Sequence, residues 1–200
     1  MQKLLTPKDD WEVKKLGEIA DFYSGGTPST SVVSYYGGKI SWITSSDLNK
    51  GKIYEVEGKI TEEGLQNSSA KMVKKGTLLL ALYGATAGVP AISYLNAAIN
   101  QAVLAIIPFQ YNSLYIFYKL SSLKPWIVKN YTQGGQANLS GNIIKSIELL
   151  FPTKEQQTHI ATILSDMDSE IEALEKKRAK YQRLKQGLMQ NLLTGKIRLI

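Results

Sequence analysis

Short apolar runs separated by glycine and polar turn residues make up the first three quarters of the chain. The runs at residues 40–44, 77–83, 89–94 and 98–107 have the length of β-strands and are bounded by turn-forming residues. The pattern predicts that each run forms a core strand of a folded domain. Loops with positive φ or with a close backbone approach are predicted at three glycine pairs, Gly25–Gly26, Gly37–Gly38 and Gly134–Gly135.

One helical segment interrupts the predicted strands. Over residues 111–123, Leu114, Phe117 and Tyr118 recur at the spacing of a single helix face. Pro125 is expected to end this helix, because proline lacks the amide hydrogen that the helix interior requires. The first 150 residues therefore belong to a mixed α and β class.

After Pro152 the pattern changes to that of one long amphipathic helix. Thr153 and Gln156 have the spacing of an N-terminal capping box, and Gly195 is a natural stop. The helix is expected over residues 154–194, with a length of roughly 60 Å at about 1.5 Å per residue. Ten positions alternate in spacings of four and three, which is the a/d pattern of a coiled coil. They are Ile160, Leu164, Met167, Ile171, Leu174, Arg178, Tyr181, Lys185, Leu188 and Leu192.

These patterns predict an α+β protein with a mixed α/β domain over residues 1–152 and a helical arm over residues 153–200. The arm needs a partner, because one small domain cannot cover so long a helix. Residues 154–175 carry one base and six acids, whereas residues 176–200 carry eight bases and no acid. An antiparallel coiled coil of two copies pairs opposite charges, and a parallel one pairs like charges. The helix dipole, which also favours acids early and bases late, is the alternative origin of this bias.

Composition narrows the class of protein further. The formal charge of +7 and the pI near 9.4 favour a polyanionic partner, since lysines that neutralise phosphates release counterions. Arg178, Arg183 and Arg198 are the only arginines, so base reading in the first 150 residues must use Lys, Asn, Gln, Ser or Thr. The absence of cysteine excludes disulfides and thiolate zinc sites. Without a long apolar run or a leader-like N-terminus, the protein is expected to be cytoplasmic and to have no membrane partner.

Contacts with DNA base edges are expected in the loops, because a loop can enter a groove that a sheet cannot. Three loops, at residues 41–52, 83–86 and 132–138, carry suitable polar side chains. Asn and Gln pair with adenine, and Lys donates to guanine. The predicted DNA-binding residues are Thr44, Ser45, Asn49, Lys50, Lys52, Tyr83, Thr86, Gln133, Gln136 and Asn138.

Several of the remaining residues have simpler interpretations. Trp42 and Trp126 are expected in the core rather than stacked on bases. For Asn138 and Ser140, a role in supporting the fold is the alternative to base reading. A cluster of three lysines is open to two interpretations, phosphate binding or a solvated face, and its members are Lys71, Lys74 and Lys75.

No catalytic motif is found along the chain. Gly195-Lys196 is followed by isoleucine, so it does not complete a phosphate-binding loop, and no methyltransferase motif occurs. His159, the sole histidine, has no second metal ligand or nucleophile beside it and is expected at a surface or interface. No catalytic residue, metal or bound cofactor is predicted for this chain.

Four stretches of the sequence resemble the specificity subunits of Type I restriction-modification enzymes. They are WEVKKLGEIADFYSGGTPS at 11–29, ISWITSSDL at 40–48, GQANLSGNIIKSIELLFPTKEQQ at 135–157 and GLMQNLLTGKIRL at 187–199. In this order and spacing they are highly specific, and together they extend from near one end of the chain to the other.

The resemblance implies a target-recognition domain followed by a conserved arm. Full-length members carry two such domains and two arms that pair antiparallel, whereas this sequence holds one of each and looks like a half-subunit. Two copies would then form a homodimer that binds an inverted-repeat target in double-stranded DNA, split by an unread spacer. In the family, the arms dock methyltransferase subunits, which recruit the restriction subunits. S-adenosylmethionine, ATP and Mg belong to those partners.

Two rival functions remain open on the sequence. A coiled-coil scaffold whose domain binds protein predicts DNA affinity that does not distinguish sequences. A self-sufficient DNA enzyme predicts methyl transfer or cleavage by the purified chain alone, and the missing motifs count against it.

Overall fold

The computed structural model describes residues 11–131 and 138–196. Contacts between Cα atoms divide the chain into two compact units, Met1–Ala161 and Thr162–Ile200. The first unit contains the strands and the short helices, and the second contains most of one long helix. No helix in the described ranges combines the length and the apolar composition that crossing a membrane requires.

The elements of the described residues confirm the predicted mixed α and β class. In chain order they are β1 (Glu12–Lys15), α1 (Leu16–Ile19), β2 (Ala20–Ser24), β3 (Tyr36–Ile43), β4 (Lys52–Ile53), β5 (Lys59–Ile60), α2 (Glu62–Gln66), β6 (Lys71–Val73), β7 (Leu78–Ala81), β8 (Pro90–Ser93), β9 (Ala97–Ile99), β10 (Val103–Pro108), α3 (Ser113–Tyr131), α4 (Gly141–Ser146), β11 (Glu148–Phe151) and α5 (Lys154–Leu192). Short 3-10 helices lie in the connections at Val33–Tyr35, Ser45–Lys50 and Gly84–Thr86.

The strands form two larger sheets and a two-stranded ribbon. The first sheet has the order β2-β10-β7-β8-β4, in which only β4 and β8 run parallel. The second has the order β5-β3-β9-β6, in which β3 and β9 run parallel. In the ribbon, β1 pairs antiparallel with β11. Most strand neighbours are therefore distant in sequence.

Apolar side chains from both larger sheets pack into one core cluster. Ile43 of β3 and Ile99 of β9 come from the second sheet, and Leu79 of β7 and Val103 of β10 come from the first, all fully buried. Full burial of one such aliphatic side chain contributes about 1.5–3 kcal/mol. The cluster fixes the strand ends from which the predicted DNA-contacting loops extend.

The apolar run at residues 98–107 is predicted as one strand, and this prediction is wrong, because the run contains β9 and β10 separated by a turn. Asn100 forms this turn: its Oδ1 accepts from the Ala102 amide at 3.1 Å, and its carbonyl accepts from the Val103 amide at 3.2 Å. An asparagine side chain competes in this way with the hydrogen bonds of a sheet. The chain thus leaves the second sheet at Ile99 and enters the first at Val103.

The predicted end of the α3 helix is also wrong, because α3 continues through Pro125 to Tyr131. Pro125 removes the amide that would donate to the Ser121 carbonyl, at an energetic cost. Ile127 is fully buried beyond the proline, and this burial favours continuation of the helix. Residues 115–120 are buried in succession, so the middle of α3 is enclosed on all sides rather than on a single face.

The capping box that begins α5 is confirmed. The Thr153 amide donates to Gln156 Oε1 and the Gln156 amide donates to Thr153 Oγ1, both at 3.3 Å. Gln157 is buried and joins this first turn to the domain, because its Nε2 donates to the Pro152 carbonyl at 2.9 Å and its Oε1 accepts from the Asn112 amide at 3.0 Å.

The end of α5 lies two residues before the predicted end. The helix stops at Leu192 after 39 residues, and Gly195 follows with a φ of 72°. Glycine adopts this left-handed conformation without the steric cost that a Cβ adds. The long helix of the predicted fold class is therefore present.

Candidate nucleic-acid interface

The first predicted loop forms a compact 3-10 helix directly after β3. Thr44 precedes this helix, and its amide and its Oγ1 both donate to Asp47 Oδ2 at 2.9 Å. Thr44 Oγ1 also lies 2.9 Å from Ser46 Oγ. The Asp47 carboxylate therefore caps its own helix, and the Thr44 hydroxyl takes part in holding the loop together.

Lys50 closes the other end of the same loop. Its Nζ donates to the Glu55 carbonyl at 3.0 Å and lies 3.9 Å from Asp47 Oδ1. The side chain remains about half exposed, so it can turn towards a phosphate or a base. Asn49 is exposed beside it. The other predicted residues of this loop, Ser45 and Lys52, are half-buried.

The second predicted loop is a tight turn after β7. Gly84 and Gly88 adopt φ angles of 72° and 76°, which permit the turn. Thr86 Oγ1 donates to the Tyr83 carbonyl at 3.2 Å. Tyr83 is 42% exposed, which leaves much of its ring available for contact.

The structure brings the second loop against both of the others. Tyr83 forms an antiparallel bridge with Asn138, and the Leu139 amide donates to the Leu82 carbonyl at 2.8 Å. The 3-10 helices Ser45–Lys50 and Gly84–Thr86 also contact each other. Described residues of all three predicted loops thus share one part of the surface. The remaining predicted residues, Gln133 and Gln136, lie outside the described residues.

The C-terminal half of α3 borders this surface, which the sequence does not indicate. A Cβ built on Gly88 would lie 3.4 Å from Val128 Cγ2 and 3.7 Å from Lys124 Cγ. The same Cβ would lie 3.7 Å from Leu139 Cδ1. The helix, the second loop and the segment after residue 138 therefore pack together at Gly88.

The core prediction is correct for one of the two tryptophans and wrong for the other. Trp42 packs against the buried Ile60, Ala70 and Ala98, and its Nε1 donates to the Gly26 carbonyl at 3.3 Å. Trp126 is 49% exposed. The extension of α3 beyond the proline explains the difference, since it turns position 126 away from the buried side.

Ser140 has a structural role in the described fold, as the N-cap of α4. Its Oγ accepts from the Ile143 amide at 3.2 Å. Replacing Ser140 with alanine removes this acceptor, and we expect the free energy of unfolding to fall by about 1 kcal/mol in urea titrations. Ser140→Asp keeps a hydrogen-bond acceptor at this position, and its free energy of unfolding is expected to stay close to that of the unchanged protein. Altered DNA selectivity at unchanged stability would contradict this assignment.

The remaining polar candidates are surface residues. Lys71, Lys74 and Lys75 are exposed, and Lys71 Nζ lies 5.8 Å from the centre of the Tyr23 ring. His159 is exposed on α5. Within the residues that the structure describes, no cluster of three or more His, Cys, Asp or Glu side chains could hold a metal ion.

Comparison with known proteins gives a consistent family. The profile of the Type I restriction modification DNA specificity domain matches residues 8–183. The MjaIX specificity subunit of a Type I restriction enzyme from Methanocaldococcus jannaschii is 35% identical in an alignment of 192 residues, which covers 92% of this chain and 44% of that protein. The EcoR124I/EcoR124II specificity subunit from Escherichia coli is 29% identical in an alignment of 176 residues, which covers 84% of this chain and 43% of that protein.

Solved structures share the fold. The HsdS subunit from Thermoanaerobacter tengcongensis superimposes with a TM-score of 0.63 at 20% identity, over 93% of this chain and 45% of that one. The S subunit of a Type I restriction-modification system from M. genitalium gives a TM-score of 0.65 at 17% identity, over 94% and 47%. The chain spans less than half the length of these relatives. It belongs to the family of Type I restriction-modification DNA specificity domains.

Proposed function

We propose that this chain supplies DNA sequence specificity to a Type I restriction-modification system and is not itself catalytic. The observation that carries the proposal is the meeting of the loops predicted to read bases, through the contacts of Gly84–Thr86 with Ser45–Lys50 and of Tyr83 with Asn138. Polar side chains on loops held by a rigid core are the usual means of reading base edges. The relatives named as specificity subunits support the same assignment.

In this proposal residues 1–152 read DNA and residues 153–200 form the arm that pairs antiparallel with a second copy. Of the predicted coil positions, Ile160 and Leu164 are buried, and the next apolar ones are 37–57% exposed. These are Met167, Ile171, Leu174, Tyr181, Leu188 and Leu192. A helix face this apolar is stabilised by a second helix that covers it. The acidic first half and the basic second half of the arm favour the antiparallel arrangement.

The proposed partners follow from the same assignment. Two paired copies present identical reading domains, which suits an inverted-repeat target with an unread spacer in double-stranded DNA. Methyltransferase subunits dock on the arms and bring the restriction subunits. S-adenosylmethionine, ATP and Mg bind to those subunits, and this chain uses no cofactor.

Selection of bound fragments from a random duplex library tests the proposal. The purified chain is expected to enrich an inverted repeat with a spacer of constant length, and binding is expected to weaken steeply as salt rises. Enrichment of a single undivided site would contradict the paired arrangement.

The rival function is a coiled-coil scaffold that does not read DNA sequence. It predicts binding of the same duplex library without enrichment of any sequence. Unselective binding at every salt concentration would therefore favour the scaffold over the proposed specificity component.

A further inference from the structure

The outward side of the last turns of α3 carries an unusual set of exposed residues. Helical spacing places positions 122, 125, 126, 129 and 130 on one side, and all of them are exposed. We call this side the Trp126 face, and its members are Ser122, Pro125, Trp126, Lys129 and Asn130. It combines a large aromatic ring with a base, an amide and a hydroxyl.

The Trp126 face is ordered by its own contacts. The Tyr131 ring meets the Trp126 ring edge-on, with centroids 5.7 Å apart and planes at 79°. Asn130 Nδ2 donates to the Trp126 carbonyl at 2.8 Å. Ile127, on the opposite side of the helix, is fully buried. The edge-on contact with Tyr131 therefore supports the indole at the surface.

The helix that carries this face packs beside the loops that are proposed to read bases. On the side of the same turns that lies away from Trp126, Lys124 and Val128 pack at Gly88, two residues after the second loop. The helix therefore lies beside the bridge between Tyr83 and Asn138 rather than on a remote part of the domain.

The charge of the surrounding sequence suits a polyanion. No aspartate or glutamate occurs between Glu63 and Glu148. The acid of the first loop, Asp47, accepts hydrogen bonds from the Thr44 amide and hydroxyl. The lysines of the acid-free stretch are Lys71, Lys74, Lys75, Lys119, Lys124, Lys129 and Lys145. Of these, Lys124 and Lys129 lie on α3 within a turn of Trp126, and α3 carries no acid. An exposed tryptophan on a helix of this charge fits duplex DNA better than an uncharged protein surface.

We propose that the Trp126 face is a further DNA-contacting element, which rests on the proposed function and adds a helix to the reading loops. The Trp126 indole makes a nonpolar contact with a base or a deoxyribose, and Lys129 binds a phosphate. An α-helix fits into the major groove, where an aromatic side chain can make apolar contact with the methyl group of thymine.

Affinity measurements with the duplex obtained by selection test the proposal. Trp126→Ala is expected to weaken binding by at least about fivefold, the lower end of what the loss of one base contact costs in duplex DNA. Phe109→Ala is the matched control, because Phe109 is 59% exposed and follows the end of β10 that is farther from the second loop. The control is expected to bind like the unchanged chain, and thermal melting of both variants verifies folding.

Quenching of tryptophan fluorescence gives a second readout. DNA would not change it if Trp126 served only to stabilise the fold. Trp11 is buried and Trp42 half-buried, so acrylamide quenching reports mainly on Trp126. DNA is expected to protect this fluorescence, and Trp126→Phe is expected to remove the protected component. Lys129→Ala is expected to reduce the steepness of log affinity against log salt by about 0.9 for each copy that is bound.

The outcomes separate the two proposals. If the unchanged chain selects a sequence but Trp126→Ala and Lys129→Ala bind as tightly, the Trp126 face is not a DNA contact and the proposed function stands. If the unchanged chain selects no sequence, the proposed function fails. If DNA leaves Trp126 as accessible to acrylamide as before, the inference is overturned whatever the affinities.

Discussion

A Leu174→Asp variant is expected to behave as a monomer at concentrations where the unchanged chain is expected to form the proposed dimer. Leu174 is 57% exposed on the arm and lies in the middle of the predicted seam. In a two-fold pair the substitution places a carboxylate from each copy in an apolar interface, and burying an unpaired charge there costs several kcal/mol. Sedimentation of both proteins measures the change.

The same variant is expected to lose about 100-fold or more in affinity for the selected inverted repeat, because binding by two linked domains becomes binding by one. Ala173→Asp is the matched control, since it adds the same charge at the adjacent position, which faces away from the seam. The control is expected to remain dimeric. Dimers of Leu174→Asp would show that the apolar seam does not hold the copies together.

Gly25→Ala is expected to destabilise the sheet domain by about 3 kcal/mol or more, as measured by urea unfolding. A Cβ at Gly25 would lie 1.8 Å from the Ile99 carbonyl oxygen. The obstacle is backbone, so no side-chain rotation relieves it. The Gly25 amide donates to the Asn100 carbonyl at 3.2 Å, which is the hydrogen bond that the close approach permits.

Gly141→Ala is the control for this experiment. Its Cβ would lie 3.9 Å from Leu104 Cδ1, an ordinary contact, at the first residue of α4. The free energy of unfolding is expected to stay the same or to rise slightly, because the added Cβ meets no obstacle and alanine is a better helix former than glycine. Equal stability of Gly25→Ala and Gly141→Ala would show that the sheets move apart easily at Gly25.

The parts of the fold that depend on local pattern could be predicted from the sequence. The capping box at Thr153 and the helix of α5 follow from side chains close in sequence, and both are present. The split between β9 and β10 could not be predicted from hydrophobicity, because Asn100 stands alone within an apolar run. The continuation of α3 beyond Pro125 depends on the burial of Ile127, which is tertiary information.

The candidate site shows the same limit. The polar residues suited to base edges predicted three DNA-contacting loops. That Tyr83 lies beside Asn138 is visible only in the strand pairing of the folded domain. The exposure of Trp126 could not be predicted, because an isolated tryptophan is more often buried. The orientation of its side chain depends on the continuation of α3 beyond Pro125, where the sequence predicts that the helix ends.

The arm presents a wider apolar surface than the a/d pattern predicts. Leu184 and Met189 are 54% and 48% exposed and lie outside the predicted seam positions. A two-stranded coiled coil covers mainly its a and d positions. In the proposed pairing of two arms, Leu184 and Met189 would therefore be only partly covered.

The ribbon of β1 and β11 brings Glu12 opposite Phe151, so the polypeptide enters and leaves the sheet domain at neighbouring positions. A module whose two connections are adjacent can be exchanged within a longer chain with little disturbance of what flanks it. Exchange of the segment between these two strands would therefore leave the flanking polypeptide foldable, and under the proposed function it would change the target preference.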